Sequence, residues 1–494
     1  MANPLADANK TTVHPGLVVL AQQALAVLTT KYRDALLAAI PQAIVANEIT
    51  RVASLTSALA SDLIGEGYDL RHLYWRGEYF LKVPARPFNS KLADLLGLFR
   101  HGADAQYRVG FRLVFGNPQG AEACPRAIGT LQIAPNVPGV SKPTGLDFAK
   151  HDPNFRYASC EIPARDPFAA SRTGSAELSK ALDLLQFTQP ATTVTARAAA
   201  LVVGANNTEM VVPTSMELLG PIRLGHDDLD TRLRQLTAID KDGRIADPTK
   251  DRLTVGLQYL RRGIADNEPH GQFLNLWIGL EAVVGGVQRT DIADVRRFVS
   301  RLIAVGYSRR ILVDLRANLQ RSRSALGTPW HPRIIDEANR DLALASLWEA
   351  LHDQAALAAL RAAVASDPLL HHRLDDVAQM LESSESIRIA VERHAQDVSW
   401  HVQRMFRMRN AIVHSGYLPR DLTHVSSHLA TYLWAIMRTL IDELAIPRGI
   451  PEIKAVFEKF SWLYEELVNR LKKAQGAAPV FAEVTRPTAT WPTV

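Results

Sequence analysis

The stretch SIRIAVERHAQDVSWHVQRMFRMRNAIVHSG, residues 386–416, has the clearest helical pattern of the chain and decides how the C-terminal half is interpreted. Its apolar stripe recurs at spacings of three, four and seven along residues Val402, Met405, Phe406, Ile412 and Val413. Such spacing predicts one long helix with a single apolar face. Gly416 and Pro419 follow the stripe and are expected to end the helix.

Polar side chains cluster in the last turns of this predicted helix. Arg409 follows Val402 by seven residues and falls on the apolar stripe, where a guanidinium needs an anion or acceptors because an unpaired buried charge is very costly. Asn410 and His414 are four residues apart and share a face. These residues are predicted to line one small polar pocket. The alternative is that Arg409 pairs with an acid on a neighbouring helix and His414 only caps the helix.

Outward from this segment, the chain changes its periodicity once. From about Asp228 onward the pattern is helical, over residues 227–236, 252–265, 273–285, 291–323, 338–365, 386–416, 421–445 and 451–474. Between Glu78 and Pro213 the period shifts towards two, with strands predicted at 107–115, 128–133, 155–162, 194–203 and 209–212. Residues 13–64 again read as helical. The sequence therefore predicts an α+β chain.

Three regions are predicted from these patterns. Residues 1–225 form an N-terminal α/β-mixed or β-rich domain, which begins with helix and continues with strands. Residues 226–450 form an all-α bundle with an insertion around 288–385, and residues 451–494 form an amphipathic helix and a disordered tail. Core packing is the default role for the apolar face of that last helix.

Composition excludes several classes of protein. The 494 residues are 47% hydrophobic and 22% charged, which rules out a disordered, collagen-like or mainly coiled-coil chain. Two cysteines, Cys124 and Cys160, exclude a disulfide scaffold and a cysteine-rich zinc site. No apolar run reaches 18 residues, so no membrane span is expected and the cytoplasm is the expected location.

The charge distribution is more informative than the net charge of +5. Nine arginines lie between Arg289 and Arg323, against three aspartates. Between Val398 and Arg420 there are four arginines and no acidic residue. Basic segments of this kind suit a nucleic-acid backbone, and the alternative is a solvated helix face.

Known catalytic signatures are absent from the sequence. It contains no GxxxxGK phosphate loop, GxSxG elbow, HExxH or CxxC pair, so kinase, hydrolase and zincin activities have no sequence support. His394, Asp397 and His401 lie at spacings of three and four and are the one candidate metal set. An exposed polar helix face gives the same pattern, and no metal site is predicted.

RNAIVHSG, residues 409–416, resembles the RNxxxH signature of HEPN domains, in particular the ApeA-like branch found in bacterial phage-defence proteins. FLNLWIGLEAVVGG (273–286) is similar to the LWxxLE helix of that branch, and a further helix, 421–445, follows the motif. The resemblance covers roughly 230–446. HEPN toxins that a nucleotidyltransferase antitoxin controls tend to have Rx4HxY, whereas here Tyr417 is three residues after His414.

The resemblance implies a HEPN helical bundle, a homodimer or higher homo-oligomer, and RNxxxH motifs that face each other across a two-fold interface. It also implies a metal-independent endoribonuclease without cofactors, with RNA as its partner and with a role in antiviral defence by abortive infection. Arg409, Asn410 and His414 would then be catalytic. The N-terminal domain would be a sensor or regulatory domain that responds to a phage-derived trigger.

Further residues are candidates for supporting roles. Glu281 is the candidate internal partner of Arg409, or else one half of a simple structural ion pair. The candidate RNA-binding arginines are Arg296, Arg297, Arg301, Arg404 and Arg407. The alternative function is a non-catalytic HEPN-type scaffold for nucleic-acid binding or oligomerisation, which burial of His414 would favour.

Overall fold

The structure is a computed structural model in which helix predominates. It describes residues 31–82, 87–100, 104–137, 140, 148, 152–188, 194–204, 207–214, 226–266, 268–285, 291–321, 334, 340–365, 367–416, 422–474 and 481. Tyr417, residues 1–30 and, apart from Phe481, the tail after Gln475 lie outside these ranges. The chain divides into two compact units, Met1–Gly174 with Ala200–Val212, and Ser175–Ala199 with Pro213–Val494. Helices together with an antiparallel sheet make the fold mixed α+β, as predicted.

The first unit begins with helices. Residues 31–45 belong to α1, and they are followed by α2 (Ile49–Gly65), α3 (Leu70–Lys82) and α4 (Phe88–Gly97). A small core of Leu36, Ile40, Leu59, Leu63 and Phe99 holds them together.

The strands form one six-stranded sheet in the order β2-β3-β4-β1-β5-β6. Their bounds are β1 Ala105–Phe115, β2 Ala127–Ile128, β3 Leu131–Ala134, β4 Phe155–Ala164, β5 Val194–Val203 and β6 Glu209–Pro213. The predicted strand 128–133 is in fact two strands, because Gly129 adopts a left-handed φ of 59° in the turn between them. Two helices, α5 (Pro118–Ala123) and α6 (Pro167–Thr188), lie between these strands, in a region that the sequence predicted as α/β-mixed or β-rich without locating its helices.

The central strand β1 is buried on both faces. Val109 and Phe111 on one face are fully buried, and Arg112 on the other is only 1% exposed, with its guanidinium over the Phe155 ring at 4.6 Å. Helix α6 packs closely on the first face, because a Cβ on Gly174 would come within 3.0 Å of Val109. The alternation along β1 therefore separates apolar from cationic side chains and does not separate a buried face from an exposed one.

The second unit contains the helices of the C-terminal half. They are α7 His226–Lys241, α8 Asp247–Ala265, α9 Pro269–Val284, α10 Ile292–Val305, α11 Tyr307–Arg321, α12 Arg340–His352, α13 Gln354–Ala363, α14 Pro368–Leu381, α15 Ser384–Ser415, α16 Leu422–Leu444 and α17 Ile453–Lys473. The helical stretches predicted at 291–323 and 338–365 each contain two helices. Within the described ranges, none of the helices has the length and apolar character needed to cross a bilayer.

Two hydrophobic cores organise these helices, and α15 is common to both. The first half of α15 contributes Ile387 and Val391 to the core formed with α11–α14. Its second half contributes Val402 and Met405 to the core formed with α8, α9, α10 and α16. Within the predicted insertion 288–385, α11–α14 share a core with α15, whereas α10 contributes to the core of α8, α9 and α16. Helix α17 also contributes to both cores, which accounts for its apolar face.

Candidate active site

Capping residues define both ends of α15. Ser383 begins the helix with a capping box, in which its hydroxyl accepts from the Ser386 N–H and the Ser386 hydroxyl accepts from the Ser383 N–H. Gly416 ends it with a left-handed φ of 61°, which glycine adopts without strain, and its N–H donates to the Ile412 carbonyl at 3.2 Å. His414 therefore lies in the last turn of a 32-residue helix.

Arg409 lies where the buried stripe of α15 reaches solvent. Val402 and Met405 below it are fully buried, whereas the Arg409 side chain is 29% exposed. Beyond Arg409 the stripe continues to Ile412, which is still buried, and Val413 at its end is 50% exposed. Arg409 Nη1 donates to Asn410 Oδ1 at 3.1 Å, and Arg409 Nη2 lies 3.8 Å from Glu281 Oε2.

The contact between Arg409 and Glu281 is electrostatic and is too long for a hydrogen bond. A guanidinium has five N–H donors, and in the described part of the chain Arg409 uses one of them, on Asn410. The remaining donors of this planar guanidinium are available to an oxyanion such as a phosphate. Because Glu281 is itself 33% exposed, this pair lies at the solvent boundary rather than in the core.

Helix α8 fixes the turn of α9 that carries Glu281. Arg252 donates to the carbonyl oxygens of Ala282 at 3.0 Å and Val283 at 2.6 Å, and also to that of Gly285. It therefore satisfies carbonyls that the end of a helix leaves unpaired, and it adds a positive charge at the negative end of the helix dipole. Burial lowers the pKa of Arg252, which has no carboxylate partner among the described residues.

Asn410 is half-buried and His414 is exposed. His414 forms no hydrogen bond with the residues that the structure describes, so both imidazole nitrogens are accessible to a ligand. Arg409, Asn410 and His414 lie within two turns of one helix, with Glu281 opposite Arg409. Arg409 contacts Asn410 and lies near Glu281, while His414 lies one turn further along on the exposed face of the helix.

The candidate RNA-binding arginines divide into two groups. On α10, Arg297 pairs with Asp294 at 2.9 Å and Arg301 with Glu465 at 2.7 Å, while Arg296 donates to Ser399 and Gln403 of α15. These three cations are engaged within the protein. The second group, Arg404 and Arg407, is exposed on α15, on the helix that carries His414.

The candidate metal set is not brought together. His394 stacks on Tyr307 with ring centroids 4.1 Å apart, and His401 Nδ1 lies 3.0 Å from the hydroxyl of Tyr432. Asp397 is exposed. No three histidine, cysteine or acidic side chains within the described ranges are grouped to hold a metal ion.

Two features were missed by sequence reasoning. The ring centroids of His401 and His428 of α16 are 4.8 Å apart, and those of His428 and His424 are also 4.8 Å apart. Three histidine rings therefore pack together between two helices. The four-residue spacing of His424 and His428 was a usable signal, but the contact with His401 depends on tertiary packing. The second feature is Trp400, a 61% exposed indole on α15 that a helical projection of residues 386–416 places opposite the apolar stripe.

Comparison of the chain with protein-family models, with curated proteins and with solved structures found no match. The resemblance to HEPN domains therefore depends on the residues of the two motifs themselves.

Proposed function

We propose that this chain is a metal-independent endoribonuclease whose active site is the C-terminal end of α15. The observation that carries the proposal is the exposed imidazole of His414 in the turn that follows Arg409, whose guanidinium keeps most of its donors available. A cation can stabilise the charge that develops on the phosphoryl oxygens, and an imidazole can transfer the protons of phosphodiester cleavage. Exposure of His414 supports this function over a scaffold in which the histidine is buried.

The proposed reaction uses the RNA's own nucleophile. The 2′-oxygen attacks the adjacent phosphorus and loses its proton to a base, the bond from phosphorus to the 5′-oxygen breaks, and the 5′-oxygen gains a proton. His414 is the general base or the general acid of these transfers. Arg409 stabilises the extra negative charge on the phosphoryl oxygens, and the Asn410 amide orients the phosphate. The products are a 2′,3′-cyclic phosphate and a free 5′-hydroxyl.

The proposed active form is a homodimer or higher homo-oligomer. Two exposed apolar side chains lie beside the Arg409–Glu281 pair in sequence, Ile278 one turn before Glu281 and Val413 one turn after Arg409, and they are 40% and 50% exposed. Apolar residues that flank a polar site suit a contact between two copies. The role in bacterial phage defence and a sensor role for residues 1–225 follow from the HEPN resemblance.

The test is cleavage of mixed RNAs by the full chain. We expect cleavage that persists in EDTA, leaves 2′,3′-cyclic phosphate ends and is lost in Arg409→Ala. Arg297→Ala is the matched control, since that arginine is already paired with Asp294 and is expected to retain activity. A folded wild type that leaves varied RNAs intact, with or without phage lysate as a trigger, would contradict the proposal and favour a binding scaffold.

A further inference from the structure

A line of exposed residues runs along α15 to the candidate active site. Arg393, Trp400, Arg407 and His414 are each seven residues apart, and seven residues are close to two helical turns. They therefore lie on one face, and all four are exposed. With a rise of about 1.5 Å per residue, Trp400 lies about 21 Å along the helix from His414. That distance corresponds to several nucleotides of a single strand.

Trp400 is the unusual member of this line. Its side chain is 61% exposed, and it has no ring contact or hydrogen bond with the described residues. An indole in this position leaves both faces open to a planar ligand. Such exposure is costly for a large aromatic side chain unless a ligand or partner covers it.

The charge around Trp400 indicates which ligand it suits. The residues three, four and seven positions away on the helix include Arg393, Arg404 and Arg407 against one acid, Asp397. Arg393 and Arg407 form no ion pair within the described part of the chain, unlike Arg297 and Arg301 on α10. An aromatic side chain among cations is the pattern that binds unstacked bases and their phosphates.

A second exposed tryptophan shows that exposure alone does not produce this pattern. Trp462 on α17 is 58% exposed, close to the value for Trp400. Its neighbours at the same spacings are Glu458, Glu465 and Glu466 against the single cation Lys459. The two side chains therefore share size and exposure and differ in the sign of the surrounding charge.

We propose that Trp400, with Arg393 and Arg407, forms a base-stacking subsite for single-stranded RNA that directs the strand towards His414. This inference rests on the proposed nuclease function and specifies its substrate class. One base stacks on the indole, the arginines contact the backbone on either side, and a phosphodiester several nucleotides away reaches the end of α15. Duplex RNA is excluded from the indole because its bases are already stacked on each other.

The experiment measures binding of a fluorescein-labelled single-stranded oligoribonucleotide to the full chain carrying His414→Ala. In this background, Trp400→Ala is expected to weaken binding by between about fivefold and 100-fold, the usual range for a base stacked on an aromatic side chain. Trp400→Phe retains most of the affinity, and Trp462→Ala is the matched control with no effect. Affinity for a duplex of the same sequence is expected to be equal with and without Trp400.

Cleavage assays in the otherwise wild-type chain separate this proposal from the proposed function. Trp400→Ala is expected to raise KM for long single strands and to leave kcat and KM unchanged for oligonucleotides too short to span the 21 Å. If Trp400→Ala cleaves and binds like wild type, the subsite is overturned while the nuclease stands. If the chain binds single strands through Trp400 and cuts none, the nuclease fails and the subsite stands.

The alternative to RNA on this face is a contact with a second copy of the chain. A measurement of oligomeric state distinguishes the two. Sedimentation of the wild type and of Trp400→Ala is expected to give the same mass at the same concentration. If the variant loses subunits and its RNA affinity falls only as a consequence, Trp400 belongs to an interface between copies, and the proposal is wrong.

Discussion

Helix α15 carries three histidines in two different environments. His394 and His401, in its middle, are half-buried beside Tyr307 and Tyr432, and this partial burial lowers their pKa values to about 3 and about 4. His414, in its last turn, is exposed and unbonded within the described ranges. The difference arises from position along the helix. The buried stripe runs beside His394 and His401 and ends before His414. The same side chain thus packs against aromatic rings in one place and is open to solvent in the other.

This contrast shows why spacing alone was a poor guide to chemistry. His394, Asp397 and His401 have the spacing of a ligand set. However, the His394 ring stacks on Tyr307 and the His401 ring packs against Tyr432. His414 has no neighbouring histidine on the helix, but it lies with Arg409 and Asn410 where solvent and substrate can reach it. Four predictions test the contrast, and they are given in decreasing order of expected effect.

Replacement of the exposed histidine is expected to have the largest effect, on activity alone. His414→Ala should lower the RNA cleavage rate by about 10²–10⁴-fold, because it removes the general acid or base. Its free energy of unfolding should stay within about 0.5 kcal/mol of wild type, since the side chain is exposed. His371→Ala is the control, a surface histidine paired with Asp375 whose loss should not affect cleavage. Equal cleavage rates in the two variants would remove His414 from the reaction.

The fold was accessible from sequence where local pattern and tertiary role agree. Residues 386–416 predicted one helix ended by Gly416, and α15 ends there because the glycine adopts a left-handed φ. Helix α6 was missed because Ser, Thr and Gly interrupt its pattern in a region of strand-like period. At the site, the sequence pattern placed Arg409, Asn410 and His414 in the last two turns of one helix, and the Arg409–Asn410 hydrogen bond follows from their adjacency. The histidine contacts between α15 and α16 were not predictable, because they depend on how two separate helices pack.

The buried histidines are expected to affect stability instead of activity. His394→Ala should lower the free energy of unfolding by about 2 kcal/mol, because it leaves a cavity against Tyr307. His394→Phe should be neutral or slightly stabilising, since it keeps the ring stack and removes Nε2, a buried atom with no hydrogen-bond partner. Urea unfolding of both variants measures these values. A loss of stability in His394→Phe equal to that of the alanine variant would mean that the nitrogen, and not the ring, is the stabilising group.

Glu281 tests how strictly Arg409 must be held. Glu281→Gln keeps the shape and removes the charge 3.8 Å from the guanidinium, and we expect kcat to fall roughly tenfold, equivalent to about 1.4 kcal/mol. KM should stay equal or fall, because a negative charge near the phosphate is removed. Asp442→Asn is the control, an acid that pairs with Arg232 away from α15 and should leave kcat unchanged. A higher KM with unchanged kcat would show that Glu281 assists binding and does not position Arg409.

The smallest expected effect is an acid-dependent loss of stability that comes from the middle of α15. Burial lowers the pKa of His401 to about 4, and the charges of Arg404 and His424 add to this effect. Burial also lowers the pKa of His428 to about 4, with smaller contributions from His401 and His424. Between pH 6.5 and about 4 the unfolded chain therefore binds more protons at these positions than the folded chain, so stability rises with pH across this window and falls on acidification. The urea midpoint should decrease between pH 7 and pH 5, and His428→Phe should reduce that dependence. A steeper dependence in His428→Phe than in wild type would show that acid acts through groups other than the histidine cluster.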